Sequence, residues 1–323
     1  MNQDALHYRH LLQEDLDQVN ALLATGFDDI PDVAREPIRT LILSGGKRLR
    51  PALVLLSSYA CSANHAQALF AAAGVEMLHT ATLIHDDLID STLVRRGVVT
   101  LNSLWSPMTT VLAGDYVFAL AAKMIARSDN TGLVTRFAET LATICSGELD
   151  QIFSRNGTLP SFEAYYRRIF AKTASLFALC MEVGPILACR PPEELARARQ
   201  IGRRLGEAFQ IADDVLDLMG SESLLGKPVG NDLRQGVITL PVLRYAQQQP
   251  QDERLRAVLD HNSDEAVLGS LIADVRSSDA AEWAMKRAEV HAQEALELAR
   301  AYPDTPHRTA LEEIIRFSVR RQF

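Results

Sequence analysis

Residues 65–91 read HAQALFAAAGVEMLHTATLIHDDLIDS. Most of the stretch is Ala, Leu, Val, Ile and Met, which is too apolar all round for a surface helix. It predicts a central helix buried on most sides. His79, His85 and the cluster Asp86-Asp87-x-x-Asp90 lie towards its C-terminal end. A helix of that kind has to be covered by neighbours, and the flanking sequence is helical almost throughout.

On the N-terminal side, residues 2–25 repeat apolar positions at helical spacing and stop at Gly26. Residues 31–43 form a second amphipathic helix, ended by Ser44-Gly45-Gly46. Pro51 fits the first turn of the next helix, where its missing N–H costs little. On the C-terminal side, Asn102 to Pro107 reads as a break. Helices then follow at about 107–127, 131–153 and 161–189. Pro191-Pro192 separates them from a long apolar helix, about 193–219, that ends in a second cluster, Asp213-Asp214-x-x-Asp217. Residues 220–236 (GSESLLGKPVGNDLRQG) hold four glycines and a proline and form one long loop, a frequent place for function. Shorter helices fill the remainder, with a charged amphipathic one at about 279–301. Glycine (17) and proline (13) are sparse in 323 residues, which favours helix over sheet. The expected class is all-α, with residues 1–323 as a single domain.

Composition narrows the function. A formal net charge of −8 argues against nucleic acid, which needs a basic face. Cys61, Cys145, Cys180 and Cys189 lie far apart with no C-x-x-C pair, as expected of free thiols in a reducing compartment. The polar, acidic N-terminus does not read as a signal or transit peptide. No uncharged apolar run reaches the roughly 18 residues of a membrane span. These features predict a soluble, cytoplasmic protein.

The aspartates carry the chemistry. On a helix, residues i and i+4 are neighbours, about 5–6 Å apart at Cβ. Asp86 with Asp90, and Asp213 with Asp217, therefore each present two carboxylates to one side. They repel one another, and the C-terminal helix dipole adds negative potential. A divalent cation relieves both effects. Hard oxygen donors without cysteine or ordered histidine point to Mg²⁺, which takes one or two carboxylates and fills its shell with substrate phosphate. The bland alternative is a solvated acidic helix end. Both clusters, however, sit inside apolar sequence, LIHDDLID and FQIADDVLD, where lone charges are costly.

Cations stand at matching places. Lys47 and Arg50 flank a loop-to-helix junction, where N–H groups favour anions. Arg95 and Arg96 follow the first cluster and suit bidentate phosphate contacts. Their plainer reading is charge balance for the aspartates. Lys172 and Thr173 interrupt an apolar helix, and Lys227 lies in the glycine-rich loop.

The strings GGKRLRP, HTATLIHDDLIDSTLVRRG, GDY, AKTASLF, FQIADDVLD and GKPVGNDLRQGVITLP occur in an order that resembles the trans-polyprenyl diphosphate synthases, the isoprenyl chain-elongating family. The likeness covers about 40–245, and the ending (DTPHRTALEEIIRFSVRRQF) resembles bacterial octaprenyl diphosphate synthases. The resemblance implies an all-α isoprenoid synthase type bundle of antiparallel helices around a deep central cavity, usually a homodimer. It implies that Asp86, Asp90, Asp213 and Asp217 hold Mg²⁺ on an allylic diphosphate, farnesyl or similar. Arg95, Lys172 and Lys227 would bind that diphosphate. Lys47, Arg50, His79 and Arg96 would hold isopentenyl diphosphate, and Thr173 and Gln210 would face the developing allylic cation. Ala81, one turn before the first cluster, resembles the long-chain members; an octaprenyl product for a quinone side chain is expected, with a transient membrane contact for its release. One departure stands out. Val237 occupies a place where the family usually carries a lysine. The competing expectations are a farnesyl or geranylgeranyl synthase, a terpene cyclase and a weakly active partner subunit.

Overall fold

A computed structural model describes residues 7–44, 46–95, 98–153, 158–220, 229–260 and 264–320. The helices are α1 (His7–Leu11), α2 (Gln13–Leu23), α3 (Asp32–Leu43), α4 (Leu49–Ala60), α5 (His65–Ile89), α6 (Leu101–Leu104), α7 (Pro107–Ala126), α8 (Thr131–Phe153), α9 (Phe162–Ile169), α10 (Ser175–Leu187) and α11 (Pro192–Met219). They continue as α12 (Asn231–Arg234), α13 (Leu240–Gln248), α14 (Glu253–Leu259), α15 (Glu265–Ser277), α16 (Ala280–Ala299) and α17 (Pro306–Val319). The all-α class stands. The chain groups into two compact units.

Unit 1 comprises Met1–Thr140, Leu176–Arg199 and Ala299–Ile314. Its centre is α5, packed by α2, α4 and α7. Every residue from Ala71 to Leu78 is buried, as the apolar run predicts. The charge in that run, Glu76, is met by Arg48 Nη1 at 2.9 Å. Gly74 lets α7 come close, since a Cβ there would lie 2.8 Å from Ile125 Cγ1. Asn64 caps α5 by accepting from the Gln67 N–H, and Ser106 caps α7 by accepting from Thr109.

Unit 2 comprises Leu141–Ser175, Gln200–Leu298 and Ile315–Phe323. Its core joins Tyr165 and Ile169 of α9, Ile211, Val215 and Leu218 of α11, Leu240 and Val242 of α13 and Leu271 and Val275 of α15.

The structure departs from expectation in five places. The helix expected over residues 2–25 is divided at Leu12 into α1 and α2, and the loop expected at 220–236 contains the short helix α12. The helix expected at 161–189 is interrupted by a π-helical turn, Phe170–Ala174. A two-stranded hairpin, β1 (Val94–Arg95) with β2 (Val98–Val99), follows the first aspartate cluster, because β-branched valines on both arms suit a strand. The break at 102–107 overlaps the short helix α6. Among the described residues, three helical stretches could cross a membrane by length and composition: His65–Ile89, Pro107–Ala126 and Phe162–Leu187. Inside the fold 72%, 44% and 83% of their apolar windows are buried. Packing therefore accounts for the first and third, and α7 keeps an open apolar side.

Candidate active site

The first cluster belongs to unit 1. Over the last turns of α5 the buried positions are Thr80, Ala81, Ile84 and Asp87. The stripe His79, Leu83, Asp86, Asp90 recurs at i, i+4, i+7 and i+11 and stays open: the first three are half-buried and Asp90 is exposed. Asp90 is the C-cap, and its N–H donates to the Asp86 carbonyl at 2.8 Å. Helical spacing thus holds Asp86 and Asp90 on one side. Asp87 points away from that stripe and is only 2% exposed. Arg95 Nε donates to its Oδ1 at 2.7 Å. Burial pushes the Asp87 carboxyl up, against the opposing pull of Arg95. Arg95 therefore serves charge balance with at least one edge of its guanidinium.

His85 sits against α7. Its Nε2 lies 3.3 Å from the Val111 carbonyl and 3.5 Å from Asp115 Oδ1. A Cβ on Gly114 would come within 2.3 Å of that nitrogen, so the Gly-Asp-Tyr string provides a close approach beside Asp86. Tyr116 of the same string donates to the Gly26 carbonyl at 2.6 Å.

The GGKRLRP string divides its cations. Arg48 adopts a left-handed backbone (φ 49°), which turns its side chain inward. Besides Glu76 it donates to Asn20 Oδ1 at 3.0 Å and to the Ile42 carbonyl at 3.0 Å. Lys47 is exposed, and the Arg50 guanidinium lies 5.0 Å from the Phe177 ring centroid. Sequence reasoning passed over Arg48, a structural cation that fixes the loop carrying the other two.

The second cluster belongs to unit 2. Asp213 is half-buried, Asp214 is 3% exposed and Asp217 is 4% exposed. Asp217 Oδ2 accepts from the Asp232 N–H at 3.1 Å, and its carbonyl accepts from Gly230 at 2.9 Å. One oxygen of this expected metal ligand therefore also holds the turn at 230–232. Asp214, which the sequence reading left without a role, is the hub of a chain of bonds. Tyr165 donates to its Oδ2 at 2.7 Å and Gln210 Nε2 to its Oδ1 at 2.9 Å. Thr173 in turn donates to Gln210 Oε1 at 2.7 Å. Burial raises the Asp214 carboxyl to about 6, opposed by the bonds from Gln210 and Tyr165 and by the Arg168 charge. Burial and the Asp214 charge push the Tyr165 phenol well above its ordinary value, which keeps it a donor.

Thr173 and Lys172 both lie in the π turn. Such turns recur at functional sites because the extra residue re-aims side chains. Lys172 Nζ reaches Glu148 Oε1 of α8 at 2.8 Å. A Cβ on Gly147 would meet the Ala171 Cβ at 2.4 Å, so α8 touches the turn through bare backbone. Tyr165 lies two helical turns before Lys172, the one sequence signal that could have flagged it.

Arg96 and Lys227 lie outside the described residues. Val237 donates its N–H to the Asp232 carbonyl at 2.8 Å. The next carbonyl, of Ile238, accepts from Arg168 Nη2 at 2.6 Å. A cation thus reaches the backbone one residue beyond the position where a lysine was expected. Ala81 is fully buried, and Thr82 beside it donates to the His79 carbonyl at 2.7 Å. The donors at both clusters are carboxylate oxygens, the set that suits Mg²⁺ rather than a softer metal.

Residues 31–275 match the family model described as Polyprenyl synthetase. The chain is 36% identical over 287 residues to the all-trans-nonaprenyl-diphosphate synthase (geranyl-diphosphate specific) of Rhodobacter capsulatus, covering 87% of each. It is 32% identical over 313 residues to the octaprenyl diphosphate synthase of Escherichia coli (strain K12), covering 96% of this chain and 97% of that one. The crystal structure of polyprenyl synthase from Caulobacter crescentus CB15, complexed with calcium and isoprenyl diphosphate, superposes with a TM-score of 0.91 at 32% identity, covering 98% of each chain. With its aspartate clusters, its cation-bearing strings and its helical fold all in the expected order, this chain belongs to the polyprenyl synthetase family of prenyltransferases.

Proposed function

We propose that the chain is a long-chain all-trans-polyprenyl diphosphate synthase, octaprenyl in product, that condenses isopentenyl diphosphate with an allylic diphosphate such as farnesyl diphosphate. The observation that carries this reading is the stripe of α5 on which Asp86 and Asp90 stand in line with His79, at the end of a helix whose middle is buried. In this reading Asp86, Asp90, Asp213 and Asp217 are the ligands of Mg²⁺. The metal, when bound, supplies positive charge to the leaving diphosphate. Arg95, Lys172 and Lys227 bind that diphosphate, while Lys47, Arg50, His79 and Arg96 hold isopentenyl diphosphate. Thr173 and Gln210 turn their polar atoms to the carbon that becomes cationic. With water kept from that cation, the isopentenyl double bond is its nucleophile; the C–C bond forms as the C–O bond to diphosphate breaks, and the new cation then loses a proton to the released diphosphate to restore the double bond.

The octaprenyl and nonaprenyl relatives support a long product, destined in this reading for a quinone side chain. Such a product leaves through a transient membrane contact. The protein works in the cytoplasm as a homodimer. Supporting the dimer, α6 and α7 expose Leu104 (54%), Met108 (72%) and Leu112 (61%), a patch that in a monomer stays in water.

The test is chromatography of the product made by the purified chain from labelled isopentenyl diphosphate and farnesyl diphosphate with Mg²⁺, with light scattering on the same sample. A C40 product and a dimer are expected. A C15 or C20 product overturns the length, turnover without isopentenyl diphosphate overturns the condensation, and inactivity of the chain alone points to a partner subunit.

A further inference from the structure

We propose that Tyr165 is a positioning residue that, through Asp214, sets the direction of a hydrogen-bond relay, so that Gln210 and Thr173 offer oxygen rather than hydrogen to the allylic cation. The inference rests on the reaction proposed above and assigns a role to two residues outside its ligand and substrate set.

The direction of the relay follows from donor and acceptor capacity. An ionised carboxylate only accepts. Asp214 is 3% exposed and takes one bond on each oxygen, from the Tyr165 hydroxyl at 2.7 Å and from Gln210 Nε2 at 2.9 Å. Gln210 must therefore turn its amide nitrogen to Asp214. Its carbonyl oxygen is left for Thr173, whose hydroxyl donates to it at 2.7 Å. A hydroxyl has a single proton. Once that proton is directed at Gln210, the threonine offers only lone pairs to its next neighbour. Oxygen lone pairs aimed at a developing positive charge stabilise it, and they do so without reorganising. An inverted amide would draw on those lone pairs and free the hydroxyl proton to face the cation.

Tyr165 holds this arrangement at its buried end. It is fully buried, and its hydroxyl fixes the second oxygen of Asp214. Without that donor the carboxylate is free to rotate away from Gln210, and the amide loses the partner that determines its orientation. Tyr165 also fills the core of unit 2. The test must therefore separate relay from packing.

Tyr165→Phe keeps the ring and removes only the hydroxyl. Its kcat, both KM values and its thermal midpoint are to be compared with those of the unmutated chain, and again in a Thr173→Val background. The expected result is a fall of about tenfold or more in kcat with both KM values within about twofold. In the Thr173→Val background the same change should cost less than about threefold, because the end of the relay is already gone. Equal losses in both backgrounds, or an unchanged kcat, overturn the proposal. Should Tyr165→Phe fail to fold, Asp214→Asn takes its place in the same cycle. Its amide can accept from Tyr165 and donate to Gln210, which inverts the relay at nearly constant shape. A raised Mg²⁺ requirement, or equal losses in both backgrounds, overturns the proposal by that route. An unmutated chain that elongates no allylic diphosphate sinks the underlying reading instead, and is seen before any variant is compared.

Discussion

Asp86 and Asp87 are sequence neighbours with opposite surroundings. Asp86 lies on the open stripe of α5, while Asp87 is buried and bonded to Arg95 at 2.7 Å. Asp213 and Asp214 repeat the contrast, the first half-buried and the second enclosed by Tyr165 and Gln210. In each cluster the first aspartate is half-buried and the second is buried and bonded to a side chain of a neighbouring element. Asp86→Ala and Asp213→Ala should therefore each lower turnover by about two or more orders of magnitude, the scale for losing electrostatic stabilisation of a leaving group. Circular dichroism and the thermal midpoint should change little, since neither side chain fills the core. A near-normal rate in either variant would remove the metal assignment. The spacing of the aspartates was legible in the sequence. Which of each pair turns inward was not, because that depends on how the neighbouring helices cover α5 and α11.

At the scale of elements, glycines decide how closely helices approach. Gly147 of α8 meets Ala171 of the π turn, where a Cβ would fall 2.4 Å from the Ala171 Cβ. Gly147→Ala should push the turn and shift Lys172 and Thr173 with it. A destabilisation of about 1–3 kcal/mol is expected from overpacking. Activity should fall further than the folded fraction, measured at a temperature where the variant is fully folded. Equal activity per folded molecule would show that the turn tolerates displacement. The sequence reading placed one continuous helix at 161–189, and the apolar pattern there gave no sign of the π turn. A π turn adds one residue without changing composition, so only the backbone register reveals it. The hairpin at 94–99 was missed because four strand residues are too few to establish alternation.

For the whole molecule, acid resistance should owe something to unit 2. Arg254 donates to Asp252 Oδ2 and to Asp274 Oδ2, both at 2.6 Å, and Tyr245 donates to Asp252 at 2.9 Å. The bond from Arg254 is the main cause that holds the Asp252 carboxyl at about 2. A carboxyl lowered on folding stabilises the native state above its unfolded value, near 3.8, and loses that contribution as pH falls towards about 2. Allowing for solvent screening, the contribution is about 1–2 kcal/mol at neutral pH. Asp252→Asn should lower the denaturation midpoint at pH 7, with the gap to the unmutated chain closing between about pH 4 and 2. A gap of constant size across that range would mean that packing, not charge, accounts for the loss.

Sequence pattern was enough to establish that the chain is helical, that a helix starting near residue 65 is buried through its middle, and that two aspartate clusters with four-residue spacing stand at helix ends. Those conclusions rest on local pattern: apolar residues continuous around a helix, and acids four residues apart. The tertiary structure alone decided that Arg48 turns inward to Glu76, that Arg95 pairs with Asp87 and that Tyr165, Asp214, Gln210 and Thr173 form one directed chain. Each of these depends on partners brought together by packing, and a buried polar group is defined by the partner that satisfies it.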